Sequence, residues 1–167
     1  MKQIKFVKEP ELPFPQADTF ERVVDLLEAI NKNSLTPEEI SLLYDFDYRQ
    51  GQYYSRAGMY LRLLKNEEGI IKLTKEGEEI LNKRKRERYL ALAKKILEHK
   101  VFWETLKMYI KKGIPPKNEE IYKNVMRKNK KLLYKTGGGV LSESTLRRRS
   151  QTVKGWVNWI LDLQNIV

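Results

Sequence analysis

Apolar positions recur at helical spacing along most of this chain, and short polar or turn-forming clusters cut them into segments. Phe20, Val23, Val24, Leu27 and Ile30 make one stripe. With Asp18 or Thr19 as cap and Glu21 three residues after Asp18, they predict a first helix to about Asn31. Asn31-Lys32-Asn33-Ser34 breaks it, and Thr36-Pro37-Glu38-Glu39 then supplies a capping box with proline at the first helical position. A short second helix follows, roughly Pro37 to Tyr44, with Ile40, Leu42 and Leu43 as its apolar residues. Asp45-Phe46-Asp47 reads as a turn with Phe46 directed inward. From Tyr48 a third helix runs through Tyr53, Ala57, Tyr60, Leu61 and Leu64, turning Arg49, Gln50, Gln52, Tyr54 and Arg56 outward.

Lys65 to Gly69 is a polar break before a short β-branched strand, Ile70 to Leu73, and Thr74 restarts a helix containing Ile80 and Leu81. Lys83 to Lys100 reads as one basic helix with Leu90, Ala93, Ile96 and Leu97 on its apolar side. Phe102, Leu106, Tyr109 and Ile110 mark the next helix, ended by Lys111-Lys112-Gly113. After Pro115-Pro116, Asn118 is the candidate cap for a helix with Ile121, Val125 and Met126, and Asn129 to Gly139 is a basic, then glycine-rich, loop. The last segment, Leu141 to Ile160, has Ser142 as cap candidate and Leu146, Val153, Trp156, Val157 and Ile160 as its stripe. Its other face carries Arg147, Arg148, Arg149, Ser150, Gln151 and Thr152. At the opposite end, Pro10, Pro13 and Pro15 make the first residues an extended arm that can lie on the body through Phe6, Leu12 and Phe14.

Charge changes the picture. The whole chain of 167 residues carries +11, but residues 1–82 hold 11 Lys/Arg against 15 Asp/Glu, and residues 83–167 hold 22 against 7. The net charges are −4 and +15, so a polyanion partner is expected for the second half, where phosphate neutralisation releases counterions. No cysteine is present, which removes disulfides, thiolate catalysis and cysteine metal sites. No charged segment followed by an apolar leader opens the chain, and no apolar run approaches membrane-spanning length, so a cytoplasmic protein without a membrane partner is expected.

Helix, short helix, tight turn and a longer helix led by Arg, Gln and Tyr is the helix-turn-helix order. Ile71-Lys72-Leu73-Thr74-Lys75-Glu76-Gly77 then resembles the way winged-helix domains pass from a recognition helix through a wing strand into a closing helix. The second half repeats the plan. Laying Ala57-Gly58-Met59-Tyr60-Leu61 on Val153-Lys154-Gly155-Trp156-Val157 sets Tyr60 on Trp156, Leu61 on Val157, Leu64 on Ile160, Tyr53 on Arg149 and Gln52 on Arg148. The expected fold is mainly α with a short β-wing, as two tandem winged-helix units: an arm over 1–17, unit one over 18–98 and a winged-helix-like unit two over 99–167. The wing of unit two is expected to be lost or displaced to Leu132–Leu141.

The runs Phe20 to Leu27, Tyr48 to Ala57, Leu73 to Gly77 and Leu141 to Val157 together resemble the tandem winged-helix DNA-recognition region of some type II restriction endonucleases and restriction–modification proteins. The most specific part is Arg148-Arg149-Ser150-Gln151-Thr152-Val153-Lys154-Gly155-Trp156. The resemblance implies sequence-specific duplex binding, with cleavage in a separate nuclease domain that this chain does not display, so the chain is not expected to be an enzyme itself. A separate nuclease or methyltransferase subunit is the protein partner it suggests.

Arginine to guanine and glutamine to adenine are the pairings that read base edges, and lysines hold phosphates. The candidate contacts are therefore Ser144, Arg147, Arg148, Arg149, Gln151 and Thr152, then Arg49, Gln50, Gln52, Tyr54 and Arg56, with Lys128, Lys130, Lys131 and Lys135 on the backbone. Two other classes are weighed against this. A protein-interaction or regulatory subunit suits the acidic first half; a metal-dependent nuclease needs clustered carboxylates, of which Glu76, Glu119, Glu120 and Lys123 are fragments. His99 is the only histidine and is explained by a helix C-terminal position, and Gly137-Gly138-Gly139 lacks the Gly-Lys-Ser/Thr ending of a phosphate loop. Neither cofactor nor metal is expected. Trp103, Trp156 and Trp159 are assigned to the core.

Overall fold

A computed structural model describes residues 5–43, 47–135 and 137–165. The fold is mainly helical with one small antiparallel sheet. It forms two compact units, one spanning Pro15–Leu92 and the other combining Met1–Phe14 with Ala93–Val167. The arm thus belongs with the second half of the sequence, and the division falls inside a helix rather than at residue 98.

In the first unit, α1 (Phe20–Lys32) buries Phe20, Val23, Val24, Leu26, Leu27 and Ile30. The capping box before α2 (Pro37–Leu43) is present in both directions: Thr36 N–H donates to Glu39 Oε1 and Glu39 N–H to Thr36 Oγ1, each at 3.2 Å. Tyr44, the expected end of the second helix, and Asp45 and Phe46 of the expected Asp45-Phe46-Asp47 turn lie outside the described residues. Asp47 caps α3 (Tyr48–Tyr60) by accepting from the Gln50 N–H at 2.8 Å.

Helix α3 ends at Tyr60, four residues short of the expected Leu64. Arg62 takes a left-handed backbone (φ 60°), Arg62 N–H donates to Met59 O and Leu63 N–H to Gly58 O, which is the Schellman closure. Gly58 leaves room there for Leu64, whose Cδ1 would lie 2.4 Å from a Cβ at that position. The residues read as a polar break are instead a strand, β1 (Leu64–Glu67), paired with β2 (Ile70–Leu73) through a two-residue turn in which Glu68 and Gly69 both have positive φ. Only Leu64 of β1 is buried, so the strand carries no apolar alternation to announce it. Leu35 extends the ribbon by exchanging hydrogen bonds with Ile71 at 2.7 and 3.2 Å. Helix α4 (Lys75–Leu81) starts at Thr74, whose hydroxyl donates to Arg62 O and accepts from the Gly77 N–H. A side chain at Gly77 would meet Leu63 O at 2.4 Å.

The expected basic helix over Lys83–Lys100 is α5 (Lys85–Leu97), and the expected helix after it is α6 (Lys100–Lys112), with Glu98 and His99 between them. Leu90, placed on the apolar side by the sequence, is 49% exposed, and Leu92 is buried instead. His99 is the N-cap residue of α6 rather than the end of a helix. In the second unit, α6 closes on Gly113 with φ 72° and packs on the final helix, α8 (Glu143–Asp162). Between them lie α7 (Asn118–Ile121), a wide π turn over Tyr122–Met126 and a 3₁₀ turn over Lys130–Leu132. Lys117, not Asn118, is the N-cap of α7, and its N–H donates to Glu120 at 3.2 Å.

The core of this unit is an aromatic stack. Phe14 lies 5.9 Å from Phe102 and Phe102 lies 5.0 Å from Trp156, all nearly parallel. Phe14 is the arm residue that anchors; Phe6 and Leu12, expected to share that task, remain about 40% exposed. Val7 N–H donates to Glu98 O, Phe14 N–H donates to Tyr134 O, and the buried carboxylate of Glu9 lies 2.5 Å from His99 Nδ1. These bonds are why the arm belongs to the second unit.

Candidate nucleic-acid interface

Helix α8 begins at Ser142, whose hydroxyl accepts the Thr145 N–H at 3.2 Å. Leu146, Val153, Trp156 and Val157 then seat one side in the core at 0% exposure. Two residues assigned to the outward face join them: Ser150 and Thr152 are also at 0%. Ser150 donates to Leu146 O at 3.0 Å, so its hydroxyl is satisfied within the helix. Small hydroxyl residues fit against a packed neighbour without an unpaired polar atom, and Thr152 is thereby removed from the set that can reach a ligand. The exposed face is Ser144, Arg147, Arg148 and Gln151, at helical steps of three and four, with Arg149 half-buried at its edge. Arg148 is steadied by Thr145 Oγ1, which accepts from its Nη2 at 3.2 Å.

Arg147 is held differently. Its Nη1 donates to both oxygens of Glu119 at 2.8 and 2.7 Å, and its guanidinium lies 4.2 Å from the centre of the Tyr122 ring. The Tyr122 hydroxyl in turn donates to Glu143 in the first turn of α8. That carboxylate, first, and burial, second, raise the Tyr122 phenol above its ordinary pKa. The π turn sets this geometry, since Arg127 N–H reaches back five residues to Tyr122 O. Sequence reading missed both Glu119 and Tyr122 as parts of the site. Glu119 was weighed only as a fragment of a carboxylate cluster, and its pairing with Arg147 spans 28 residues.

Lys128, Lys130, Lys131 and Lys135 are all exposed on the segment leading to α8. Asn129, among them, is buried and donates from Nδ2 to Glu104 Oε2 and Val125 O, fixing the segment against α6. Tyr134 and Val140 then form a single antiparallel bridge around Gly137, Gly138 and Gly139, whose φ values are all positive. A displaced wing was expected over Leu132–Leu141; what stands there is Tyr134, bridged to Val140 and also to Pro13 of the arm.

In the first unit, α3 exposes Arg49 and Gln50 and leaves Gln52 and Arg56 half-buried. Arg49 Nε donates to the Tyr53 hydroxyl at 2.5 Å, with its guanidinium 5.5 Å from the ring centre. The two tyrosines exchange the roles the sequence gave them. Tyr54 is 7% exposed and in the core, while Tyr53 is the outward one. Tyr54 lies on the side of Gly51, Ala57, Gly58 and Leu61, so the buried stripe keeps the expected Ala57, Tyr60 and Leu61 and takes Tyr54 in place of Tyr53. The hairpin tip is acidic: Glu67 lies 3.0 Å from Lys72 and 3.3 Å from Lys65. Hydrogen bonds from Lys72 and then Lys65 keep that carboxyl below its usual pKa.

Among the described residues no group of three or more His, Asp or Glu is arranged to hold a metal ion. Two of the carboxylates weighed for hydrolysis are engaged in ion pairs: Glu119 with Arg147 and Lys123, and Glu120 with Lys112. No described helix is long and apolar enough to cross a membrane.

The chain belongs to a family described as a domain of unknown function (DUF7226), whose profile matches residues 22–165. Neither a curated protein nor a solved structure matches it.

Proposed function

We propose that this protein binds double-stranded DNA in a sequence-dependent way, with α8 as the principal recognition helix. The observation that carries the reading is the exposed face of α8, where Ser144, Arg147, Arg148 and Gln151 stand on a helix whose opposite side is fully buried. A rigid backing and planar, multidentate donors are what base-edge recognition in the major groove needs. Lys128, Lys130, Lys131 and Lys135 would add phosphate contacts. In the first unit, α1, Leu35, α2, α3 and the β1–β2 hairpin follow in the order of a winged helix, with Arg49, Gln50, Gln52 and Arg56 as its candidate contacts. The role that fits best is recognition within a restriction–modification system, with cleavage or methylation supplied by a separate subunit.

Electrophoretic mobility shift with duplex selected from a random pool, across a salt series, tests the reading. Log affinity should fall linearly with log salt, and removing one phosphate-binding lysine should lessen the slope by about 1. Affinity independent of salt, or untouched when Arg148 and Gln151 become alanine, overturns it.

A second reading applies to the first unit alone. Leu42 and Leu43 are 83% and 58% exposed on α2, in the acidic half of the chain, a composition that suits contact with a protein. Retention of a partner after nuclease treatment, lost with Leu42→Ser, would support it.

A further inference from the structure

We infer that Glu119 is a positioning residue that presets Arg147 for a guanine edge or a phosphate, an inference that rests on the DNA-binding reading above. A carboxylate on a surface that meets a polyanion is unfavourable for binding unless it does something else. Here it takes one nitrogen of Arg147, Nη1, while Tyr122 covers one face of the guanidinium. Nε and Nη2 are left as the available donors on a side chain that is 52% exposed. Those two nitrogens form one edge of a planar fork, the geometry that pairs with O6 and N7 of guanine or with two phosphate oxygens. An arginine fixed in plane and rotation before the ligand arrives loses less conformational freedom on binding than a free one. Arg148, by contrast, has one 3.2 Å hydrogen bond to Thr145 and no such frame.

The alternative is a plain surface ion pair between α7 and α8, and the two accounts predict opposite signs. Glu119→Gln removes a negative charge beside the proposed DNA surface. If the pair is only structural, the full-length variant binds every duplex more tightly. If Glu119 positions Arg147, affinity for a duplex enriched from a random pool by the wild-type chain falls about tenfold, while affinity for the unselected pool is unchanged or rises. Glu119→Asp should recover part of the loss. Thermal denaturation followed by circular dichroism confirms that each variant is folded, and Tyr122→Leu, which removes the ring from under the guanidinium, supplies an independent perturbation with the same expected loss of selectivity. Equal or tighter binding of Glu119→Gln to the enriched duplex overturns the inference and leaves the DNA reading standing. Failure of the wild-type chain to enrich any duplex overturns that reading and this inference with it.

Discussion

Helices α3 and α8 carry the same kind of sequence, an aromatic side and an Arg/Gln side, yet the two are built for different surroundings. In α3 and its C-cap, Ala57, Tyr60 and Leu61 are buried to 2% or less, and in α8 Val153, Trp156 and Val157 are at 0%. The interior sides thus correspond. The exposed sides do not. Outward from α8 are Arg147, Arg148 and Gln151 in a half of the chain with a net charge of +15; outward from α3 are Arg49 and Gln50 in a half with −4, followed by a hairpin whose tip is Glu67 and Glu68. A hairpin follows α3, whereas α8 is preceded by isolated bridges from Tyr134 to Pro13 and to Val140. The lesson is that a shared helix pattern specifies how an element is anchored, while the charge around it decides what it can approach.

The largest expected effect concerns the anchors. Trp156→Ala opens the aromatic stack with Phe102 and Phe14 and should cost about 3–5 kcal/mol in chemical denaturation. A loss under 1 kcal/mol would mean that the stack is not what holds α8. The exposed faces come next. Arg148→Ala with Gln151→Ala should weaken duplex binding by about 2–3 kcal/mol, whereas Arg49→Ala with Gln50→Ala should change it by less than about 1 kcal/mol. Equal losses in the two helices, measured by fluorescence anisotropy, would erase the functional difference drawn between them. Helix starts should respond alike in both units: Ser142→Ala and Thr74→Ala each remove a cap, at about 1 kcal/mol. The Thr74 change should be the larger, because its hydroxyl also donates to Arg62 O.

The smallest effect is confined to alkaline pH. Burial pushes the Tyr109 phenol up to about 12, and its hydroxyl donates to Asn158 Oδ1 at 2.7 Å. Its folded pKa is above the unfolded one, so its contribution to stability is complete below about pH 10 and is lost as pH rises towards 12. Ultraviolet titration should show a tyrosine titrating near 12 that Tyr109→Phe removes, and the variant's stability should decline less over that alkaline range.

Much of this architecture was present in local sequence. The capping box at Thr36 to Glu39, the caps Ser142 and Thr74, the glycine stop at Gly113 and the apolar stripe of α1 each act within one or two helical turns. Interactions of that range are written in neighbouring residues, as is the charge asymmetry. Tertiary structure decided the rest. Leu35 and the polar strand β1 acquire their conformation from Ile71 and β2, not from their own composition. Tyr54 rather than Tyr53 is buried, and so is Thr152, because the elements packed against α3 and α8 decide which residues at the edge of an apolar stripe are covered. The arm's place with the second unit and the Glu119–Arg147 pair depend on residues tens of positions away, and their energies exist only once the chain has brought those residues together.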